Sequence, residues 1–390
     1  MLGPMWDVVV VGSGPAGAAA AIGAKRAWPD ARVALLDRAR FPRDKSCGDG
    51  VAPHVLDVLA RLGVTGLLDD WPGVSRLRLG FPGGPEIAGE MRRPAYIVPR
   101  TVLDSRLRQA ALDRGAEPLD HRVRRVDVGL DRVVLDGEID ARVVIGADGA
   151  HSAVRHAIRA DPVTAQQAIA LRAYAPVDGL PPDEQLIVFA RQGGWPAYAW
   201  SFPIGDGRAN VGYGEFLPPG GSTPTRTHLL DRLHELLPGL RGPSAVRGHH
   251  LPLSTAQVRQ PDGRVLLAGD ALSLVNPITG EGIHTAVLTG ALAGIAAART
   301  AREGELAGLD PGREYRLALR SAFGRHTRDV NLLSRLARPR AVAAGVRGAQ
   351  GRQRVFDDLV EMGLADGPVT GRVLGVIAAE LVRKVARPVA

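Results

Sequence analysis

Three glycines stand at a spacing that chemistry can use: Gly12-Ser13-Gly14-Pro15-Ala16-Gly17, the pattern G-x-G-x-x-G. In such a turn the first glycine allows a tight bend. The second lets backbone approach a pyrophosphate, and the third lets a helix pack closely on a strand. The turn follows the apolar run Asp7–Val11 and opens an alanine-rich segment reaching Ala27, so unpaired N–H groups at a helix start would face the phosphates. Arg32–Leu36 reads as a second strand, closed by Asp37 with Arg38 beside it. An acid about 20 residues past the glycines can accept hydrogen bonds from a ribose diol. In this strand–helix–strand setting the motif predicts a bound dinucleotide rather than a bare glycine turn.

Two later segments narrow the ligand. The run 143–146 ends in Ala147-Asp148-Gly149, and 264–268 ends in Gly269-Asp270, which place acids where ribose or ribityl hydroxyls could be held. After the second comes Asn276-Pro277-Ile278-Thr279-Gly280-Glu281-Gly282, then a helix from Gly282 through Ile283 and His284. The loop would bring backbone to a flat ring, and the positive helix end would stabilise negative charge on a reduced flavin. The predicted cofactor is therefore FAD.

The stretch "FPRDKSCGDG" (41–50) holds the only cysteine, Cys47, with Lys45 before it and Gly48, Asp49 and Gly50 after it. It reads as a mobile loop crossing the flavin, its glycines taking conformations closed to other residues. Cys47 is either a small packing residue or a thiol at the boundary of flavin and substrate, and Lys45 either a solvated side chain or a group that lowers the thiol pKa. Farther on, Tyr198, Trp200 and Phe202 alternate with Ala199, Ser201 and Pro203. On a strand this puts all three rings on one face, either a core face or the apolar wall of a pocket.

With these motifs in order, the chain resembles FAD-dependent enzymes of the para-hydroxybenzoate-hydroxylase-like fold, and among them the geranylgeranyl reductase family. The match rests on "KSCGDG", on Tyr-x-Trp-x-Phe-Pro at 198–203 and on "PITGEGI" at 277–283. Asp49 stands where the family more often has a second small residue. The resemblance implies FAD contacts at Ala16, Asp37, Cys47, Gly48, Gly50, Arg100, Asp270, Gly282 and Ile283, with Val123 near the adenine. It implies reduction of C=C bonds in a prenyl or similarly apolar substrate, with Cys47, Tyr198, Trp200 and His284 as candidate catalytic groups and Asp49 weighed as a further proton donor. NADPH or another reductant would deliver electrons transiently, since no second glycine fingerprint is visible. The rivals are a monooxygenase or a halogenase on the same fold, and an FAD-bound sensing protein without turnover.

Composition fits this reading. The 390 residues are 45% hydrophobic and 23% charged, enough for a sizeable core. A net charge of +8, scattered as arginine among acids, argues against nucleic acid; contact with a membrane surface stays open. His249-His250 are neighbours that a strand would turn apart, and no metal-ligand spacing is visible. One cysteine and no long apolar run suggest a cytoplasmic protein. The expected fold is α/β. A Rossmann-like FAD-binding domain (1–73, 99–160 and 262–300) carries an antiparallel β-sheet substrate domain (74–98 and 161–261) and a C-terminal helical region (301–390).

Overall fold

The computed structural model describes residues 5–160, 167–177, 181–217, 221–303, 308–364 and 367–385. Its first sheet has seven strands. Trp6–Val11 lies between Val33–Asp37 and Ile139–Gly146, parallel to both, with Val9 opposite Ala34 on one side and Val144 on the other. Glu117–Asp120 extends one edge and Val265–Leu267 pairs with Ile139–Gly146, both in parallel. Val126–Val128 and Val133–Leu135 complete the sheet as an antiparallel hairpin. The run Val8-Val9-Val10 is fully buried, as expected of a parallel strand covered on both faces.

One of those covers explains the alanine-rich helix. Pro15–Ala27 packs against the long helix Ile283–Glu303, and the small side chains let the two backbones meet. A Cβ added at Gly290 would stand 2.0 Å from the Ala16 carbonyl oxygen, and one at Gly294 would stand 1.9 Å from that of Ala20. Gly17 has the role its spacing predicts, since a Cβ there would fall 1.6 Å from the Gly12 carbonyl oxygen.

The second sheet has eight strands, in the order Ser244–Pro252, Gln167–Pro176, Arg208–Phe216, Ala197–Pro203, Glu184–Phe189, Gly73–Gly80, Glu86–Ile97 and Gly50–Val51. All neighbours are antiparallel except Glu184–Phe189 and Gly73–Gly80, which run parallel. The "FPRDKSCGDG" stretch thus ends as an edge strand of this sheet, Gly50 opposite Ile97. The helix Arg226–Leu236 covers the back of the sheet through Leu229, Leu233 and Leu236. The C-terminal region is helical: Pro311–Leu336, Pro339–Ala349, Gln353–Leu364 and Gly371–Val385. Val346, Phe356, Val360 and Val373 from the last three pack on Leu77, Ile87 and Met91 of the second sheet. No helix among the described residues is long and apolar enough to cross a membrane.

Candidate active site

A cavity of about 1160 Å³ runs from the glycine turn, past Cys47 and the aromatic strand, to the C-terminal helices. A pocket for one drug-sized ligand spans roughly 300–1,000 Å³, so this one is larger than a single such ligand needs.

At the turn, Gly12 has φ +102°, and a Cβ there would lie 2.4 Å from the Ala147 carbonyl oxygen. Ser13 N donates to Asp37 Oδ2 at 2.8 Å, and Ala39 N donates to Asp37 Oδ1 at 2.9 Å. Asp37 therefore holds the turn while lining the cavity beside Arg38. Two guanidinium groups converge in front of Gly14: Arg43 Nη2 lies 3.0 Å and Arg100 Nη2 lies 3.9 Å from where a Cβ would stand. Both pair with the buried Asp104, Arg100 at 2.6 Å and Arg43 at 3.2 Å. The two arginines share Asp104 and keep an Nη2 each toward the helix N-terminus at Gly14. Arg43 Nε is also buried with no hydrogen-bond partner, 3.8 Å from Asp37. A pyrophosphate fits this arrangement. At the adenine end the segment 121–125 is held by Asp136, which accepts from Arg124 N and Arg125 N and pairs with His121. It brings the buried Val123 to the cavity.

Several predicted residues act differently from the sequence expectation. Asp148 lines the cavity, but its carboxylate caps the short helix that follows, accepting from Ser152 Oγ, Ala153 N and Val154 N. Gly17 lies outside the cavity lining, where it does the packing its spacing predicts, and Gly269 does not line the cavity either. Gly269, at φ +59°, instead fits beside Ala16 and Ala286 between the packed helices. His284 is also outside the lining; it is buried, with its ring edge-on to His54 at 6.1 Å. The helix start is not free for a ring either. Glu281 takes the His284 N–H at 2.6 Å, as a helix cap does, and burial lifts its carboxyl to about 7. The loop is otherwise fixed from within, as Asn276 Oδ1 accepts from Ile278 N and Thr279 N. Its Pro277, Gly280, Gly282 and Ile283 line the cavity.

The 41–50 stretch is tethered rather than loose. Asp44 pairs with Arg172 at 2.5 Å and Arg247 at 3.0 Å, and Lys45 Nζ donates to Asp270 at 2.9 Å. Burial alone would raise the Asp270 carboxyl; the Lys45 ammonium, together with His249 and Arg100, outweighs it and holds the group below the usual range. His249, beside this pair, is pushed down to about 4, first by burial and then by Lys45. Asn210 Nδ2 donates to the Cys47 carbonyl oxygen at 2.9 Å and to Asp49 Oδ2 at 2.7 Å, and Tyr174 OH donates to the same carboxylate at 2.5 Å. The positive φ of the stretch belongs to Asp49, at 61°, and not to Gly48 or Gly50. Gly48 faces the aromatic wall: a Cβ there would meet Phe202 and Trp200 at an ordinary contact distance of 3.6–3.7 Å. Lys45 contributes little to the thiol. Burial raises the Cys47 pKa, opposed chiefly by Arg100.

The aromatic strand divides its faces as the alternation predicts. Ala197 and Ala199 enter the second sheet's core, whereas Tyr198, Trp200 and Phe202 face the cavity. Their rings follow one another at 6.0 and 6.4 Å, and Phe189 continues the row at 6.1 Å from Tyr198. Trp200 Nε1 donates to Asn210 Oδ1 at 2.9 Å, with its ring lying over Gly212. Tyr198 OH donates to the Thr279 carbonyl oxygen, which ties the wall to the Pro277–Gly282 loop. Beyond the rings the lining is aliphatic, with Leu77, Leu79 and Ile187 opposite Val346, Val360 and Ile377. Sequence reasoning missed Arg43, Asp104, Tyr174, Arg172 and Asn210 as site-forming residues. Only Arg43, inside the cysteine stretch, carried a local signal.

Residues 5–320 match the family described as FAD binding domain. A menaquinone reductase of Mycolicibacterium smegmatis is 35% identical over 309 residues, 74% of this chain and 75% of its own length. Digeranylgeranylglycerophospholipid reductase 2 of Methanopyrus kandleri is 33% identical over 318 residues, 76% of this chain and 78% of its own. A solved geranylgeranyl bacteriochlorophyll reductase-like protein of Thermoplasma acidophilum superposes with a TM-score of 0.73 over 98% of both chains, at 21% identity. The fold is shared more widely, since a flavin-dependent halogenase matches at TM-score 0.65 over 98% of this chain and 70% of its own, at 19% identity.

Proposed function

Because the chain belongs to the geranylgeranyl reductase family of FAD-dependent oxidoreductases, we propose that it saturates C=C bonds of a prenyl chain or a similarly apolar substrate held in the far arm of its cavity. The observation that carries this is continuity: one cavity joins the pyrophosphate site at Gly14, Arg43 and Arg100 to an aromatic wall and then to an aliphatic slot. Gly12, Asp37, Arg43, Arg100 and the Pro277–Ile283 loop would hold the FAD, which when bound and reduced supplies the hydride. NADPH or another reductant would reload it from solution, in the cytoplasm.

Each saturation also needs a proton for the second carbon. The Cys47 thiol suits that task, because burial keeps it protonated and it lines the cavity at the join between its two halves. Tyr198 suits it less, since its hydroxyl proton is already given to Thr279. We assign Tyr198, Trp200 and Phe202 to orienting the substrate and excluding water. The test is anaerobic reduction of a geranylgeranyl lipid by dithionite-reduced holoprotein, followed by mass spectrometry. Products should carry two added hydrogens per double bond. Cys47→Ala at matched flavin content should slow the reaction by roughly 10²-fold or more. A product bearing added oxygen or halogen instead would move the protein to a rival chemistry.

A further inference from the structure

The far arm of the cavity opens among residues that a water-soluble surface would not choose. Leu336 is 65% exposed, Leu374 49% and Leu381 36%, yet all three also line the cavity. Leu332, one turn before Leu336 on the same helix, is 60% exposed, and Val382, beside Leu381, is 67% exposed. On the helix Gly371–Val385, positions 374, 378, 381 and 382 form one apolar stripe left bare by the fold. Scattered exposed leucines need no explanation; several gathered around one opening do.

The charge beside Leu336 has one sign. From Val330 to Phe356 the chain has six arginines and no aspartate or glutamate. Arg335, Arg338 and Arg340 flank Leu336, are exposed, and have no carboxylate partner among the described residues. Other arginines on these helices are matched, Arg372 with Asp358, Arg383 with Glu380 and Arg325 with Asp329. Apolar side chains at a cavity mouth, ringed by unpaired arginine, are the chemistry of a lipid–water interface bearing negative headgroups.

We propose that this rim, formed by the end of Pro311–Leu336, the start of Pro339–Ala349 and the outer face of Gly371–Val385, docks on an anionic phospholipid surface. There an apolar substrate can pass from bilayer to cavity without crossing water. The identity of that substrate rests on the proposed function; the docking does not. The test reads binding without turnover: co-sedimentation of flavin-loaded protein with phosphatidylcholine vesicles, with and without phosphatidylglycerol. Binding should require phosphatidylglycerol and weaken as salt rises. Arg335→Gln with Arg340→Gln should weaken it roughly thirtyfold. Leu332→Asn with Val382→Asn, which lie outside the cavity lining, should abolish most of the rest while flavin content and melting midpoint stay at native values. Vesicle binding that is unchanged in both variants overturns the proposal. So does a native dimer that the leucine–valine variant dissociates without loss of vesicle binding, since the face would then join two copies of the chain.

Discussion

Asp49 is the residue that sequence patterning explains least. It stands where a glycine would suit the left-handed backbone, at φ 61°, and its carboxyl is fully buried. Tyr174 and Asn210 both donate to Oδ2, while Oδ1 has no partner among the described residues. Burial lifts the group to about 6 against those hydrogen bonds and the nearby arginines. The native state then binds this proton more tightly than the unfolded chain does. The stabilisation is complete below about pH 4 and is lost as pH rises through about 6, a difference of about 3 kcal/mol. Asp49→Asn keeps an acceptor for Tyr174 and Asn210 but cannot ionise. Urea unfolding between those pH values should show the native protein losing stability toward pH 6 relative to the variant. Parallel curves would mean that the carboxyl does not titrate there. Glu281, lifted to about 7 by the same cause, adds a slope common to both proteins.

At the scale of elements, legibility followed sequence distance. Strand, glycine turn and alanine helix were readable because each is local, and the aromatic alternation at 198–203 was readable because a strand's period is two. The parallel pairing of Glu184–Phe189 with Gly73–Gly80 was not, because it joins segments over a hundred residues apart. The helix Arg226–Leu236 was hidden within a section of strand signals, although its leucines recur at helical spacing. Asp104, Arg172, Tyr174 and Asn210 escaped because lone polar residues acquire meaning only from partners that the fold supplies. What was least visible is the contact between Pro15–Ala27 and Ile283–Glu303, which fixes the glycine turn. Gly294→Ala would drive a methyl into the Ala20 carbonyl and should destabilise by about 3 kcal/mol, with loss of flavin. Gly375→Ala, in a helix with nothing within 4 Å of the new methyl, should stabilise by about 1 kcal/mol. Denaturation midpoints distinguish the two, and equal effects would deny the helix contact its role.

For the molecule as a whole, the cavity is the seam between two sheets and a helical cap, and the 41–50 stretch sews it. Arg43 faces the glycine turn, Lys45 reaches Asp270, Asp44 holds Arg172 of the second sheet, and Gly50 pairs with Ile97 at its edge. A ligand that stays at the turn engages one end of this seam; one that extends to the Pro277–Ile283 loop engages both. Any ligand of the native state stabilises it, by about 2.7 kcal/mol at a hundredfold excess over its dissociation constant. The size of that gain does not say where the ligand lies, but amide exchange does. ADP should slow exchange around Gly12–Gly17 and Asp37–Ala39 and leave the Pro277–Ile283 loop as it was. FAD should slow both, together with Cys47–Gly50. If FAD protects only the turn, the flavin end lies outside this cavity and the aromatic wall loses its part in the chemistry. If ADP protects the distant loop as strongly as FAD does, the seam closes on any nucleotide, and the flavin ring is not what holds the two sheets together.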